Sequence, residues 1–191
     1  MTDNTSIEKV ILVKLSDAPL ATIKKINTRL NLATREFERE ASECAKINGG
    51  SSWEYKSKFE KIVVSKLFIS VIFQKFSVCK GTPDIAKQPK IFLRGNGKFF
   101  TNKQLFEKVF PLKSNEYMFT DVDLVQFDDE ITNKIVRNTK EKIPNLDPTC
   151  EYYIRNSAYR IWVDDNELIA FPEYLQSASH CQREYAVKID G

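Results

Sequence analysis

The sequence has little glycine, proline and histidine, and these shortages exclude several classes of protein. Six Gly and seven Pro among 191 residues are too few for a disordered or collagen-like chain, and a hydrophobic fraction of 42% favours a packed globule. The densest apolar stretch, 62–73, is interrupted by Ser65, Lys66 and Ser70 and is too short to cross a bilayer. The N-terminus shows no basic region followed by an apolar one. We therefore expect a soluble, intracellular protein of the cytoplasm or nucleus, with no membrane partner.

Cysteine is also sparse, and its spacing is uninformative. Cys44, Cys79, Cys150 and Cys181 form no CxxC pair. Because an intracellular location keeps thiols reduced, we expect buried free cysteines and no disulfide framework. The single histidine, His180, is adjacent to Cys181, whereas structural zinc ligands are normally spaced two to four residues apart. The sequence thus predicts no metal site, no cofactor and no catalytic thiol–imidazole pair.

Charge is distributed unevenly along the chain. The first 45 residues carry seven basic and seven acidic side chains, residues 46–113 carry fourteen Lys/Arg against four Asp/Glu, and residues 114–191 carry eight against fifteen. The small overall charge of +3 therefore conceals a basic middle and an acidic end. A basic segment of this kind favours an anionic partner, and the acidic end either folds back over the basic middle or faces another molecule.

The first 80 residues predict a strand followed by two helices. A β-branched run at 9–15 is typical of a strand, and apolar residues then recur at helical spacing from Leu20 to Ala45. Gly49-Gly50 ends this helix, and the capping box Ser51–Glu54 begins a second one, with apolar positions up to Phe76. We expect the two helices to form an antiparallel hairpin, with the second helix the more buried.

The remaining residues predict a strand-rich part over 90–191. A β-hairpin is expected around Gly95-Asn96-Gly97, and a short helix after the capping box Thr101–Gln104. A surface helix is expected over 128–142, capped by Asp128 or Asp129. Further strands are expected at 117–127, at 151–163 with a bulge or turn near Asn156-Ser157, and at 167–171 after a turn at 164–166. The order of elements predicts one α+β domain over 1–191, in which an N-terminal strand and helical hairpin (9–80) pack with a small, mainly antiparallel sheet.

The basic middle supplies the candidate binding surface. Its lysines alternate with Phe92, Phe99 and Phe100, the mixture that binds phosphates and unstacked bases, and the Gly-Asn-Gly tip should project from the domain. Near the C-terminus, Arg155, Arg160 and Trp162 are expected on the outer face of the last strands, where arginine and aromatic side chains bind bases or proteins. The candidate nucleic-acid-binding residues are Lys58, Lys61, Lys66, Lys87, Lys90, Arg94, Lys98, Lys103, Arg155, Arg160 and Trp162.

Three functional hypotheses follow from these residues. The first is a non-enzymatic accessory protein that binds DNA or RNA through the basic middle. The second is a protein-interaction subunit or adaptor of a larger assembly, in which the opposite charges guide docking or self-association. The third, a metal-dependent nuclease built on Asp121 and Asp123, lacks a matching acidic residue and lysine on a following strand. No catalytic residue is assigned.

Overall fold

A computed structural model describes residues 4–15, 18–49, 52–79, 81, 83–111, 118–119, 123–173 and 176–189. The chain divides into two compact units, residues 1–99 and 100–191, called here the N-terminal unit and the C-terminal unit. Each unit combines helices with a five-stranded sheet, which confirms the α+β class. The single domain over 1–191 stays a prediction. Within the described residues, no helix is both long and apolar enough to span a membrane.

The N-terminal unit contains one long helix and one sheet. Its elements are β1 (Thr5–Ile7), α1 (Leu20–Ile47), β2 (Glu54–Val64), β3 (Phe68–Val78), β4 (Pro83–Leu93) and β5 (Phe99–Phe100). The strands follow one another in the sheet in chain order. The parallel pair is β1 with β2, and β3 pairs antiparallel with both β2 and β4. The helix α1 confirms the first of the two predicted helices.

The predicted second helix is wrong, because residues 54–78 form the antiparallel strands β2 and β3. Ser65 closes the turn between them, since its N–H donates to the carbonyl oxygen of Phe68 at 2.9 Å. Six consecutive residues of β3, Phe68 to Phe73, are buried. A strand covered on both faces is apolar at successive positions, which also resembles a buried helix in the sequence. The β-branched and aromatic residues of this segment favour the strand.

The predicted strand at 9–15 is also wrong, because this segment is irregular and the N-terminal strand is β1. Leu12 is held against α1 by the side chain of Asn27, whose amide accepts from the Leu12 N–H at 2.8 Å and donates to the Leu12 carbonyl at 2.9 Å. Ile11 and Val13, on either side of Leu12, are 67% and 84% exposed. This alternation of exposed and buried residues is typical of an extended chain. Here, however, the side chain of Asn27, and not a neighbouring strand, satisfies the backbone groups of Leu12.

The core of the N-terminal unit lies between α1 and one face of the sheet. Ile26, Leu30 and Phe37 of α1 are buried with Val71 and Phe73 of β3. The rings of Phe37 and Phe73 meet edge to face, with centroids 5.3 Å apart. A disulfide between Cys44 and Cys79 joins the last turns of α1 to the end of β3. The prediction of free thiols is therefore wrong for this pair.

The C-terminal unit has shorter elements. They are α2 (Asn102–Val109), β6 (Met118–Phe119), β7 (Val125–Gln126), α3 (Asp129–Lys142), α4 (Pro148–Arg155), β8 (Ala158–Asp164), β9 (Glu167–Glu173), a 3₁₀ helix (Gln176–Cys181) and β10 (Tyr185–Lys188). The strands run antiparallel in the order β10-β9-β8-β7-β6. Both predicted helix starts are confirmed: Thr101 and Gln104 form a capping box on α2, and Asp128 caps α3.

The predicted strand at 151–163 is correct only in its second half. Residues up to Arg155 belong to α4, which begins because Asp147 caps it and Pro148 occupies its first position. The chain then turns at Asn156-Ser157 and enters β8, whose Tyr159, Ile161 and Trp162 are buried. A second disulfide, Cys150–Cys181, links α4 to the 3₁₀ helix, so free thiols are wrong for this pair too.

Candidate nucleic-acid interface

The sheet of the N-terminal unit has two chemically different faces. On the face towards α1, Lys75 and Lys90 pair with Glu40 and Glu36 of the helix, with N–O distances of 3.5 and 3.0 Å. The Lys90 ammonium also lies 5.5 Å from the centroid of the Phe37 ring. Lys90, a predicted binding residue, therefore joins helix to sheet, and only 12% of its side chain is exposed.

The opposite face carries a patch of six residues in two rows across β2, β3 and β4. Antiparallel pairing aligns Lys58 with Gln74 and Gln74 with Lys87. Two residues further along, Lys56 pairs with Phe76 and Phe76 with Ile85. Because residues two apart on a strand share a face, all six side chains lie on one surface of about 10 by 7 Å. We call it the lysine face: Lys56, Lys58, Gln74, Phe76, Ile85 and Lys87.

The lysine face combines one exposed cation, two partly buried lysines and a half-buried ring. Lys58 and Gln74 are exposed, and Lys58 has no ion-pair partner within the described ranges. The Lys56 ammonium lies 6.0 Å from the centroid of the Phe76 ring and pairs with Glu54. A pocket of about 200 Å³ is lined by Lys56, Lys58, Gln74, Phe76 and Ile85. The patch thus offers positive charge, an amide and an apolar ring within one small area.

Two carboxylates border the lysine face. Glu54 precedes it on β2, and Glu60 follows it, with its Oε1 2.6 Å from the Lys87 ammonium. Ion pairs at a protein surface contribute roughly 0–1 kcal/mol, so an incoming phosphate can replace such a carboxylate at little cost. Lys87, with 12% of its side chain exposed, needs a larger rearrangement than Lys58.

Other predicted residues of the N-terminal unit lie near the turns of the sheet. Lys61 stands at a bulge in β2, where the register with β3 shifts, and Lys66 is exposed in the β2–β3 turn. Arg94 and Lys98 flank the turn from β4 to β5. This turn does not project as predicted, because it lies against α1. A Cβ atom added to Gly97 would be only 3.0 Å from the carbonyl oxygen of Thr22 in that helix.

The remaining predicted residues belong to the C-terminal unit. The Lys103 ammonium lies 4.0 Å from Glu107, and Arg160 forms an ion pair of 2.8 Å with Glu173. Arg155 lies on α4 and bonds to Glu151 at 2.8 Å. Trp162 is completely buried. The expected outer face with exposed Trp162 is therefore wrong, because Trp162 packs in the core and Arg155 is on a helix.

Asp123, one of the two acidic residues proposed for a nuclease, accepts hydrogen bonds from backbone N–H groups. Asp121 lies outside the described residues. The carboxylate of Asp123 accepts hydrogen bonds from the N–H groups of Asn102 and Lys103, at 2.9 and 3.3 Å. These groups open α2, whose free N–H groups favour a negative charge. Asp123 thus stabilises the start of a helix.

Sequence reasoning missed Lys56, Gln74, Phe76 and Ile85. A signal was present at 54–60, where Glu54, Lys56, Lys58 and Glu60 occupy every second position as on one face of a strand, but the segment was interpreted with helical periodicity. The units also differ in formal charge: residues 1–99 carry 18 basic and 10 acidic side chains, whereas residues 100–191 carry 11 and 16. The lysine face therefore lies on the basic unit.

Comparison with models of known protein families gives no match for this sequence, and comparison with curated proteins finds no relative.

Proposed function

We propose that this protein binds single-stranded nucleic acid, DNA or RNA, through the lysine face and acts as a non-enzymatic accessory protein. The observation that carries the proposal is the alignment of Lys56, Lys58 and Lys87 around Phe76 on three neighbouring strands. Lysines supply phosphate contacts that do not depend on sequence, and a ring on a sheet face supplies a stacking platform for a base. Gln74 adds a donor and an acceptor between them.

A single strand fits this surface better than a duplex does. Proteins that bind single strands combine a basic surface with aromatic rings on which unpaired bases stack, and each stacked base contributes about 1–3 kcal/mol. In a duplex the bases are already stacked on each other, so Phe76 would have no exposed base to contact. The limited area of the lysine face, about 10 by 7 Å, accommodates one or two nucleotides. We therefore expect modest affinity and little dependence on sequence.

The test is the salt dependence of binding by a variant in which Lys56, Lys58 and Lys87 are replaced by Gln. Each lost phosphate contact lowers the slope of log K against log salt by roughly 0.7 for a single strand. One or two phosphates on this face therefore predict a reduction of about 0.7–1.4, measured by fluorescence anisotropy with a labelled oligonucleotide. Circular dichroism of the variant checks that the fold is retained.

A charge-matched control is available within the same unit. Lys9, Lys14 and Lys24 are exposed and lie outside the lysine face, so replacing them by Gln changes the net charge equally. This control should leave the slope close to that of the unmodified protein. Equal slopes for all three proteins, or equal losses in both variants, would remove the lysine face as the binding site.

A second candidate function, protein interaction, is favoured by the segment before α1. Ile11 and Val13 expose most of their surface, and Leu20 at the start of α1 is 74% exposed. Apolar side chains exposed together are typical of a contact with another protein. Replacing Ile11 and Val13 by Ser should abolish association with a protein partner, or with a second copy of the chain, without changing oligonucleotide binding. Sedimentation analysis of both proteins distinguishes the two functions.

A further inference from the structure

The Cys150–Cys181 disulfide lies among other metal-binding side chains, unlike the Cys44–Cys79 disulfide. The ligand atoms of Cys150, His180 and Cys181 lie within 4.8 Å of one another, and this is the metal-type group found among the described residues. The Cys181 Sγ is 3.3 Å from the His180 Nε2. The same Nε2 lies 3.7 Å from the Oδ2 of Asp147. Two sulfurs and one imidazole nitrogen thus lie close together, and a carboxylate oxygen lies 3.7 Å from that nitrogen.

Backbone structure explains this convergence. Asp147 caps α4 and Cys150 follows three residues later, so both face the same end of the helix. The Oδ1 of Asp147 accepts from the Thr149 N–H at 2.8 Å, which leaves the Oδ2 directed at His180. His180 and Cys181 end the 3₁₀ helix. Two elements therefore contribute two ligands each, which compensates for the adjacency of His180 and Cys181 in sequence.

We propose that the reduced Cys150–Cys181 pair, with His180 and Asp147, forms a tetrahedral zinc site. Zinc binds thiolate sulfur at about 2.3 Å and imidazole nitrogen or carboxylate oxygen at about 2.0–2.2 Å, so neighbouring ligand atoms of a tetrahedron are about 3.3–3.8 Å apart. The Cys181–His180 and His180–Asp147 distances already have this size. The two bonded sulfurs must separate to about 3.7 Å.

The disulfide and the zinc site exclude each other. A dithiol or phosphine reductant supplies two electrons, and two protons from water complete two thiols from the disulfide. Zn²⁺ then displaces both thiol protons and binds two thiolates, the neutral imidazole of His180 and the Asp147 carboxylate. The sulfurs are buried, whereas the side chains of His180 and Asp147 are 54% and 51% exposed. The ion therefore has access from the side of His180 and Asp147.

The test uses the full chain, reduced by a phosphine without oxygen and titrated with Co²⁺ as a spectroscopic substitute for zinc. One equivalent of Co²⁺ should produce a thiolate-to-metal charge-transfer band and the intense visible bands of tetrahedral cobalt, and Zn²⁺ should abolish both. The oxidised protein should show neither band. A reduced, folded protein without these bands would overturn the proposal.

Three variants locate the site. Replacing Cys150 and Cys181 by Ser should abolish the bands, while replacing Cys44 and Cys79 by Ser should retain them. His180→Ala keeps all four thiols, so reduction breaks the same two cross-links as in the unmodified chain, and the variant should lower Co²⁺ affinity at least tenfold. Unchanged affinity in His180→Ala would overturn the proposal. If reduction unfolds the chain, zinc should restore the circular dichroism of the unmodified protein but not of His180→Ala, and failure to do so would also overturn it.

Discussion

The N-terminal and C-terminal units each contain a five-stranded sheet and one disulfide, yet the surroundings of the two disulfides differ. Cys44 belongs to the apolar core between α1 and the sheet, and Cys79 packs against that core. Cys181 instead lies 3.3 Å from the imidazole of His180, with Asp147 beyond it. A sulfur pair in an apolar core can serve only as a cross-link. A sulfur pair beside nitrogen and oxygen ligands can in addition bind a metal ion once the disulfide is reduced.

The units also differ in how their charges are arranged. In the N-terminal unit, long strands place Lys56, Lys58 and Lys87 in register on one face. In the C-terminal unit, Arg155 and Arg160 are each paired with a glutamate. Lys56 and Lys87 also pair with glutamates, but the long, aligned strands place three lysines on one surface, and Lys58 has no ion-pair partner within the described ranges. This difference is why we assign nucleic-acid binding to the N-terminal unit.

The largest expected effect tests the core of the N-terminal unit. Phe73→Ala should lower the free energy of unfolding by about 3–5 kcal/mol, because Phe73 is buried against Phe37 and its loss leaves a cavity. Leu67→Ala is the control, since Leu67 is 52% exposed in the β2–β3 turn and should cost no more than about 0.5 kcal/mol. Urea denaturation measures both, and similar losses would contradict the assignment of 68–78 as a buried strand.

The next effect compares the two disulfides directly. Replacing either pair by Ser should lower stability by about 2–5 kcal/mol, because the cross-links close chain segments of similar length, with sequence separations of 35 and 31 residues. Under reducing conditions, zinc should stabilise the variant that lacks Cys44 and Cys79 but not the variant that lacks Cys150 and Cys181. A zinc concentration 100 times the Kd should contribute about 2.7 kcal/mol. Equal responses to zinc would show that the two disulfides do not differ as proposed.

A smaller effect concerns the ring on the lysine face. Phe76→Ala should weaken binding of a single-stranded oligonucleotide by about 1–3 kcal/mol, while leaving the salt dependence unchanged because no charge is lost. Phe59 is a matched control, since it pairs with Phe73 and therefore lies on the face towards α1. Phe59→Ala should bind as the unmodified protein does. Loss of binding in both variants, measured by anisotropy, would indicate a fold defect instead of a stacking role.

The smallest effect is a pH dependence in the C-terminal unit. Hydrogen bonds from Lys140 and Arg155 hold the pKa of Glu151 below its ordinary value. A lowered pKa stabilises the fold above the ordinary glutamate pKa of about 4.3, and this contribution is lost as the pH falls through the lowered value. The melting temperatures of the unmodified protein and Glu151→Gln should therefore differ at about pH 6 and converge in acid. When Lys140 and Arg155 are also replaced, Glu151→Gln should leave the melting temperature unchanged at every pH.

Several local sequence signals predicted helix starts and turns correctly, whereas Glu54 of the predicted capping box Ser51–Glu54 begins the strand β2. The capping box of Thr101 and Gln104, the cap at Asp128 and the turn at 164–166 are confirmed, because each is complete within four residues. The break at Asn156-Ser157 was also located correctly, although the segment before it is a helix. These features need no partner from elsewhere in the chain.

Sequence reasoning failed where distant residues decide the outcome. The buried run 68–73 suits a helix or a strand, and it becomes β3 because β2 and β4 satisfy its backbone on both sides. The run at 9–15 suits a strand, but the side chain of Asn27 satisfies the backbone of Leu12 in place of a neighbouring strand. Of the candidate site residues, Lys58 and Lys87 were predicted, while Phe76 was assigned to the interior of a helix.

The amino-acid sequence by itself determined the α+β class, the long helix α1, the caps and the uneven charge, because composition and short-range periodicity encode them. The tertiary structure alone decided which side chains meet. It aligned Lys58, Gln74 and Lys87 through strand pairing, and it brought Cys150 to Cys181 across 31 residues. Such contacts depend on the hydrogen-bond register and on packing between elements distant in sequence, which no local pattern specifies.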